Sequence, residues 1–158
     1  MNITKTRIVA DSSCDLTSLA GVDFISVPLT IRTDKKEYVD NSALDTEKMV
    51  KELHEYKGRS FSSCPNVYDW EKAFEGADRI YVFTVTSALS GSYNSAMNAR
   101  ELCLEKTPEK KIHIFNTLSA GPEITLQIHK LRELILKDID FELACNAIEG
   151  YAGHTRLV

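Results

Sequence analysis

The sequence predicts an α/β fold, in which a mostly parallel β-sheet is flanked by helices in three layers and a small β-hairpin is inserted beside it. Short apolar runs bounded by polar residues alternate with longer stretches of helical period, which is typical of a parallel sheet covered by helices. The composition agrees, since 43% hydrophobic and 27% charged residues over 158 positions are typical of a globular domain. A disordered or collagen-like chain is therefore excluded, and the length suffices for one core.

The first strands are expected near the N-terminus. Arg7–Ala10 is a compact apolar run, and Asp23–Ile31 is rich in Ile, Val and Phe, so each predicts a strand. The chain then passes through the polar segment Thr33–Lys36 to Glu37–Val39. This order predicts a hairpin with a four-residue turn.

Two helices are predicted in the middle of the chain. Asp45 is the expected N-cap of the first, which runs to about Tyr56. Asn66 is the expected N-cap of the second, with Asp69 completing a variant of the capping box. The buried faces are expected to comprise Met49, Val50 and Leu53 in the first helix and Val67, Trp70 and Phe74 in the second.

The second half of the chain continues the alternation. Arg79–Val85, with the sequence RIYVFTV, is the clearest strand, and a helix is predicted over Ser92–Glu105. Lys111–Phe115 predicts a further strand, followed by helices over Pro122–Lys137 and Asp140–Ala152. Pro122 suits the first turn of a helix, where its missing N–H group is not needed.

Several classes of protein are excluded by charge and spacing. The net charge of -4 gives no basic excess, so nucleic acid is not an expected partner. The four cysteines form no C-x-x-C pair and the four histidines no H-E-x-x-H, so neither a metal site nor a cofactor is expected. A chain with an adequate core has little need of a disulfide.

A cytoplasmic location is expected. The first 15 residues lack the basic-then-apolar order of a signal peptide. The apolar runs are only a few residues long, whereas about 20 are needed to span a bilayer, so no integral membrane segment is predicted.

Three loops are rich in hydroxyl groups, namely residues 11–15 (DSSCD), 60–66 (SFSSCPN) and 84–95 (TVTSALSGSYNS). Ligands of open α/β sheets bind at the carboxyl ends of the strands, so we expect these loops to converge on one crevice. Helix N-termini next to them favour an anion. The loops contain no Lys or Arg, and G-x-x-x-x-G-K-[ST] is absent, which favours a carboxylate over a nucleoside triphosphate. Each loop alone is also compatible with ordinary helix caps and turns.

Two alternatives remain open at this point. Asp11 follows the first strand and could serve as the nucleophile of a phosphotransferase or phosphatase, with Ser12 and Ser13 holding the phosphate. Such enzymes usually carry a second Asp two positions later, where this chain has Ser13. The other alternative is a fragment without an independent function. A serine hydrolase is not favoured, because G-x-S-x-G is absent from the segment around Ser90.

The loops resemble those of the DegV family of bacterial fatty-acid-binding proteins. The resemblance is carried by VADSSCDL at residues 9–16, VPLT at 27–30, EYVD at 37–40, SSCP at 62–65 and TSALSGSYNSA at 86–96. It implies a two-domain α/β protein that buries one long acyl chain between its domains. It also implies a carrier, not an enzyme, that presents the fatty acid to a separate ATP-dependent kinase for phospholipid synthesis.

The resemblance places the carboxylate of the fatty acid on the hydroxyl groups of Ser62 and Ser90, with the backbone N–H of Gly91 as a companion donor. Ser12 and Ser63 complete the expected ligand-binding set. Residues 1–154 are expected to form the domain that holds this head group. Residues 155–158 (TRLV) are expected to begin a strand that leads to a second domain, without which affinity for fatty acid would be poor.

Overall fold

The computed structural model describes residues 4–154 and confirms the predicted α/β fold. The strands are β1 (Thr6–Asp11), β2 (Asp23–Val27), β3 (Thr30–Arg32), β4 (Glu37–Val39), β5 (Phe61–Ser63), β6 (Arg79–Thr84) and β7 (Lys111–Asn116). The helices are α1 (Thr46–Glu55), α2 (Val67–Phe74), α3 (Ser92–Lys106), α4 (Pro122–Leu136) and α5 (Phe141–Ala152), and a 3₁₀ turn (Ser12–Cys14) follows β1. The expected start of a strand at residues 155–158 lies outside the described residues.

The main sheet is fully parallel and has the strand order β2-β1-β6-β7. In its centre Val9 of β1 is opposite Ile25 of β2 and Val82 of β6. Successive side chains of a strand point to opposite faces, so the sheet has two apolar faces and needs helices on both. This requirement produces the three layers.

Two separate cores fill the space between the sheet and its helices. On one face Ile8, Tyr81 and Phe83 pack against α4 and α5, with the rings of Tyr81 and Phe141 stacked at 4.5 Å between centroids. On the other face Val9 and Val82 pack against α2 and α3. Each large apolar side chain that is fully buried contributes about 1.5–3 kcal/mol to folding.

The segment predicted as one strand over Asp23–Ile31 is in fact two strands in different sheets. β2 ends at Val27, and Pro28 follows it without an N–H group to donate to a ladder. β3 then joins a small antiparallel sheet of order β4-β3-β5. The predicted hairpin is formed by β3 and β4. A third strand, β5, also pairs with β3, with Ser62 opposite Ile31, whereas the sequence predicts a loop at Phe61–Ser63.

The predicted N-caps of α1 and α2 are both present. The side chain of Asp45 accepts a hydrogen bond from the backbone N–H of Lys48 at 3.0 Å. Asn66 and Asp69 form a reciprocal capping box, and the helix that they begin buries Trp70 and Phe74.

The predicted buried stripe of α1 is wrong. Val50 is 56% exposed, and no residue of the helix is fully buried. The helix lies beside the small sheet and not on the main one, so Met49 and Leu53 are only half-buried. Among residues 4–154 no helix combines the length and apolar character that crossing a bilayer requires.

Candidate ligand-binding site

A cavity of about 620 Å³ lies between the small sheet, the approach to α1 and the loop that joins β6 to α3. Its lining comprises Leu29, Thr30, Ile31, Tyr38, Asp40, Leu44, Met49, Ser62, Ser63, Cys64, Val85, Leu89, Ser90 and Gly91. Its volume is within the range of small-molecule sites. Four of the five predicted site residues, Ser62, Ser63, Ser90 and Gly91, therefore line one cavity.

The polar end of the cavity is formed by two chain segments that touch each other. Ser62 and Ser63 are exposed at the end of β5, whose pairing with β3 fixes their position. A Cβ atom on Gly91 would lie 3.4 Å from the sulfur of Cys64. The two segments are therefore neighbours, and their polar groups share one opening.

The hydroxyl group of Ser90 has a defined direction. Its Oγ accepts a hydrogen bond from the backbone N–H of Ser92 at 3.2 Å. A serine hydroxyl has one hydrogen to donate and can accept on its oxygen at the same time. The N–H of Ser92 therefore occupies an acceptor position of Ser90 and leaves its hydrogen available to a ligand oxygen.

The remaining wall is mainly apolar and comes from segments that the loop pattern did not indicate. Leu29 and Ile31 belong to the β2–β3 segment, and Leu44 and Met49 lie before and within α1. Their contribution depends on where the small sheet packs, and no local pattern in the sequence carries that information. A long apolar group would be shielded from water by this wall.

Charge at the cavity is sparse. Among the described residues, no Lys, Arg or His lines it, and Asp40 is the charged residue of its lining. Tyr38 is buried, and its hydroxyl donates to Glu52 at 2.8 Å, which raises the pKa of the phenol. A ligand anion would thus be held by hydroxyl and amide donors.

Ser12 stands apart from the other predicted residues. It is buried, it does not line the cavity, and its Oγ accepts a hydrogen bond from the backbone N–H of Leu29 at 3.0 Å. This bond ties the end of β1 to the segment between β2 and β3. Its contact is with the backbone of the cavity wall, so the structure gives Ser12 a supporting position.

Asp11 is also enclosed. Its side chain is 0% exposed, and Oδ2 accepts hydrogen bonds from Val85 N at 2.9 Å and Ser92 Oγ at 2.6 Å. Oδ1 accepts from the hydroxyl of Ser13. A nucleophilic aspartate must reach its substrate with a free oxygen. The geometry therefore disfavours the phosphotransferase alternative.

A second cavity, of about 590 Å³, lies between the end of β7, α4 and α5. It contains none of the predicted site residues. Glu123 and Glu149 are part of its lining, and two carboxylates disfavour a further anion. Within residues 4–154 no group of three acidic, Cys or His side chains is arranged to hold a metal ion.

Comparison with known proteins identifies the family. A family model described as "Uncharacterised protein, DegV family" matches residues 5–158. This chain belongs to the DegV family. DegV domain-containing proteins of Streptococcus pneumoniae and Streptococcus gordonii are 40% and 39% identical to it over 156 residues. Each match covers 96% of this chain and 56% of the relative, so the chain spans a little over half the length of these DegV proteins.

Solved DegV structures share the fold closely. A DegV family protein of Eubacterium eligens loaded with heptadecanoic acid is 40% identical with a TM-score of 0.92, over 94% of this chain and 54% of that one. The Fatty Acid Kinase (Fak) B3 protein of S. pneumoniae loaded with linoleic acid is also 40% identical with a TM-score of 0.92, over 95% and 55%. A DegV protein of Ruminococcus gnavus, described with vaccenic acid, is 30% identical with a TM-score of 0.88, over 94% and 55%.

Proposed function

We propose that this DegV chain binds a long-chain fatty acid, with the carboxylate at the Ser62–Ser90 end of the 620 Å³ cavity. The observation that carries the proposal is the division of one cavity into a hydroxyl-rich opening and an apolar wall. A fatty acid has the same division. The three related structures described with heptadecanoic, linoleic and vaccenic acid support this ligand class.

The carboxylate would be held without a cationic side chain. Ser62, Ser63 and Ser90 offer hydroxyl donors, and Gly91 lies at the start of α3, where the helix dipole favours negative charge. Hydrogen bonds to an ionised acceptor are about twice as strong as those between neutral groups. Residues 1–154 would supply this head-group end of the site.

We propose further that the chain acts as a carrier. Ser62, Ser63 and Gly91 are exposed, so a carboxylate bound there would lie at the surface while its acyl chain extends inward. Such an arrangement suits delivery to a second protein. An ATP-dependent fatty-acid kinase would fit this role, in the cytoplasm where ATP is available, and the Fatty Acid Kinase (Fak) B3 relative supports that partner.

The role of Ser90 is tested by Ser90→Ala. The substitution removes a hydroxyl donor from a carboxylate, so we expect oleate to bind about 1–3 kcal/mol more weakly in a fluorescent fatty-acid displacement assay. Ser87→Ala is the matched control, since Ser87 is in the same loop but its hydroxyl accepts from Asn116 outside the cavity. Equal affinities of the Ser90→Ala variant and the unchanged protein would contradict this head-group position.

The carrier role has its own test. Incubation of the protein with ATP and oleate alone should release no ADP, whereas addition of an ATP-dependent fatty-acid kinase should yield acyl phosphate. Magnesium-dependent hydrolysis of a phosphoester by the protein alone, abolished in Asp11→Asn, would instead support the phosphatase alternative.

A further inference from the structure

Asp11 joins the two ends of the loop that carries Ser90. One carboxylate oxygen, Oδ2, accepts from Val85 N at the beginning of this loop and from Ser92 Oγ at its end. Leu89, Ser90 and Gly91, which line the cavity, lie between these two points. A single buried oxygen therefore closes the segment 85–92 into a fixed arc.

We infer that Asp11 is a positioning residue for the head-group end of the cavity, acting through Ser92 on Ser90. This inference rests on the proposed function and names the residue that sets the geometry of that site. The connection has two steps: Asp11 Oδ2 holds the hydroxyl of Ser92 at 2.6 Å, and the N–H of Ser92 donates to Ser90 Oγ at 3.2 Å. Asp11 does not itself line the cavity.

The residue type follows from the donors that surround it. An N–H and two hydroxyl groups converge on the side chain, from Val85, Ser92 and Ser13. An ionised carboxylate only accepts hydrogen bonds, so it satisfies all of them. Removing it would leave donors buried without a partner and release both ends of the arc.

The structure also predicts that an amide can replace this carboxylate. In Asp11→Asn the amide oxygen can accept from Val85 N and Ser92 Oγ, while its NH₂ group donates to Ser13 Oγ, which is able to accept. Asn cannot replace Asp as the nucleophile that attacks a phosphate group. Comparison of Asn with Ala at this position therefore separates positioning from catalysis.

The test measures oleate affinity of the full chain by displacement of a fluorescent fatty acid. We expect Asp11→Ala to weaken binding by about tenfold or more and Asp11→Asn to remain within about threefold of the unchanged protein. In a Ser90→Ala background Asp11→Ala should have little further effect, because the hydroxyl that Asp11 positions is already absent. Additive losses, or equal losses for Asn and Ala, would overturn the inference.

Two further measurements keep the test independent of folding and of ligand. Ser92→Ala removes the hydroxyl that connects this segment to Asp11 and should weaken oleate binding as Ser90→Ala does. Ser92→Thr keeps a hydroxyl at this position and should therefore keep the affinity for oleate. Without any ligand, amide hydrogen exchange at Leu89 and Ser92, whose N–H groups are hydrogen-bonded within the arc, should accelerate in Asp11→Ala and not in Asp11→Asn. Unchanged exchange there in Asp11→Ala would refute positioning, whereas failure of the unchanged protein to bind oleate would refute the proposed function alone.

Discussion

At the scale of single residues, the direction of a hydroxyl group matters as much as its presence. Ser12 and Ser90 are both serines in loops that follow strands of the main sheet. Ser12 Oγ is turned to the backbone of Leu29, whereas Ser90 Oγ lies at the cavity and accepts from Ser92 N. Both belong to the expected ligand-binding set, Ser90 through the resemblance to the DegV family, and neither a motif nor a hydroxyl-rich loop shows which hydrogen bonds form inside it.

Two of the four cysteines are buried and two are half-buried, and this difference predicts how fast their thiols react. Burial raises the pKa of the Cys14 thiol from 9.0 to about 11, and that of Cys145 from 9.0 to about 12. Cys64 and Cys103 are half-buried. We expect iodoacetamide at pH 8 to modify Cys64 and Cys103 well before the other two, since the thiolate is the reactive form. Peptide mass spectrometry over time provides the measurement.

The raised pKa values of the buried thiols also make the stability of the fold decrease as pH rises. Between pH 9 and about 11 the unfolded chain loses thiol protons that folded Cys14 retains. This contribution to stability is complete below pH 9 and is lost as pH rises through the folded value. Alkylation of Cys14 or Cys145 as fast as Cys64 in native protein would show that burial does not protect these two thiols.

At the scale of elements, the small sheet and α1 form the apolar side of the site but are held differently from the main core. Glu52 of α1 accepts hydrogen bonds at Oε2 from Lys36 Nζ at 2.6 Å and from Tyr38 OH at 2.8 Å. Tyr56, just after the helix, donates to Asp34 at 2.5 Å. Polar bridges thus take the place of a buried stripe.

Glu52→Gln tests this attachment. The Lys36 ammonium holds the pKa of the Glu52 carboxyl below its ordinary value, so the bridge is present at neutral pH and lost as pH falls through that pKa. Removal of the charge should accelerate hydrogen exchange of α1 amides severalfold at pH 7. Glu55→Gln, on the exposed side of the same helix, is the control. Equal exchange in both variants would show that Glu52 does not hold the helix.

The elements that the sequence predicted best are those with a long apolar run or a strong N-cap. β6 agrees with the predicted Arg79–Val85 within one residue because its apolar run is long, and α2 begins where the Asn66 capping box predicts. β5 was missed because Phe61–Ser63 is short and exposed, and only its pairing with β3 makes it a strand. The apolar wall of the cavity was missed for the same reason, since it depends on how two sheets meet.

At the scale of the whole molecule, stability resides in the two cores around the main sheet, while the cavity lies beside it. Leu131→Ala in α4 removes a side chain that is 0% exposed, and we expect it to lower the free energy of unfolding by about 2–5 kcal/mol. Leu126→Ala, in the same helix at 52% exposure, should change it by less than about 0.5 kcal/mol. Urea titration followed by the fluorescence of Trp70, the one tryptophan, measures both. Similar losses in the two variants would contradict the assignment of the core.

The proposed binding of a fatty acid in this cavity, with its carboxylate at Ser62, Ser63 and Ser90, can be tested by a crystal structure of the full chain grown with oleate. We expect elongated density along Leu29, Ile31 and Met49, ending in a carboxylate within hydrogen-bond distance of Ser90 Oγ. Density for the carboxylate elsewhere, as in the cavity of Asn116 and Gln127, or a site empty at saturating oleate, would contradict it.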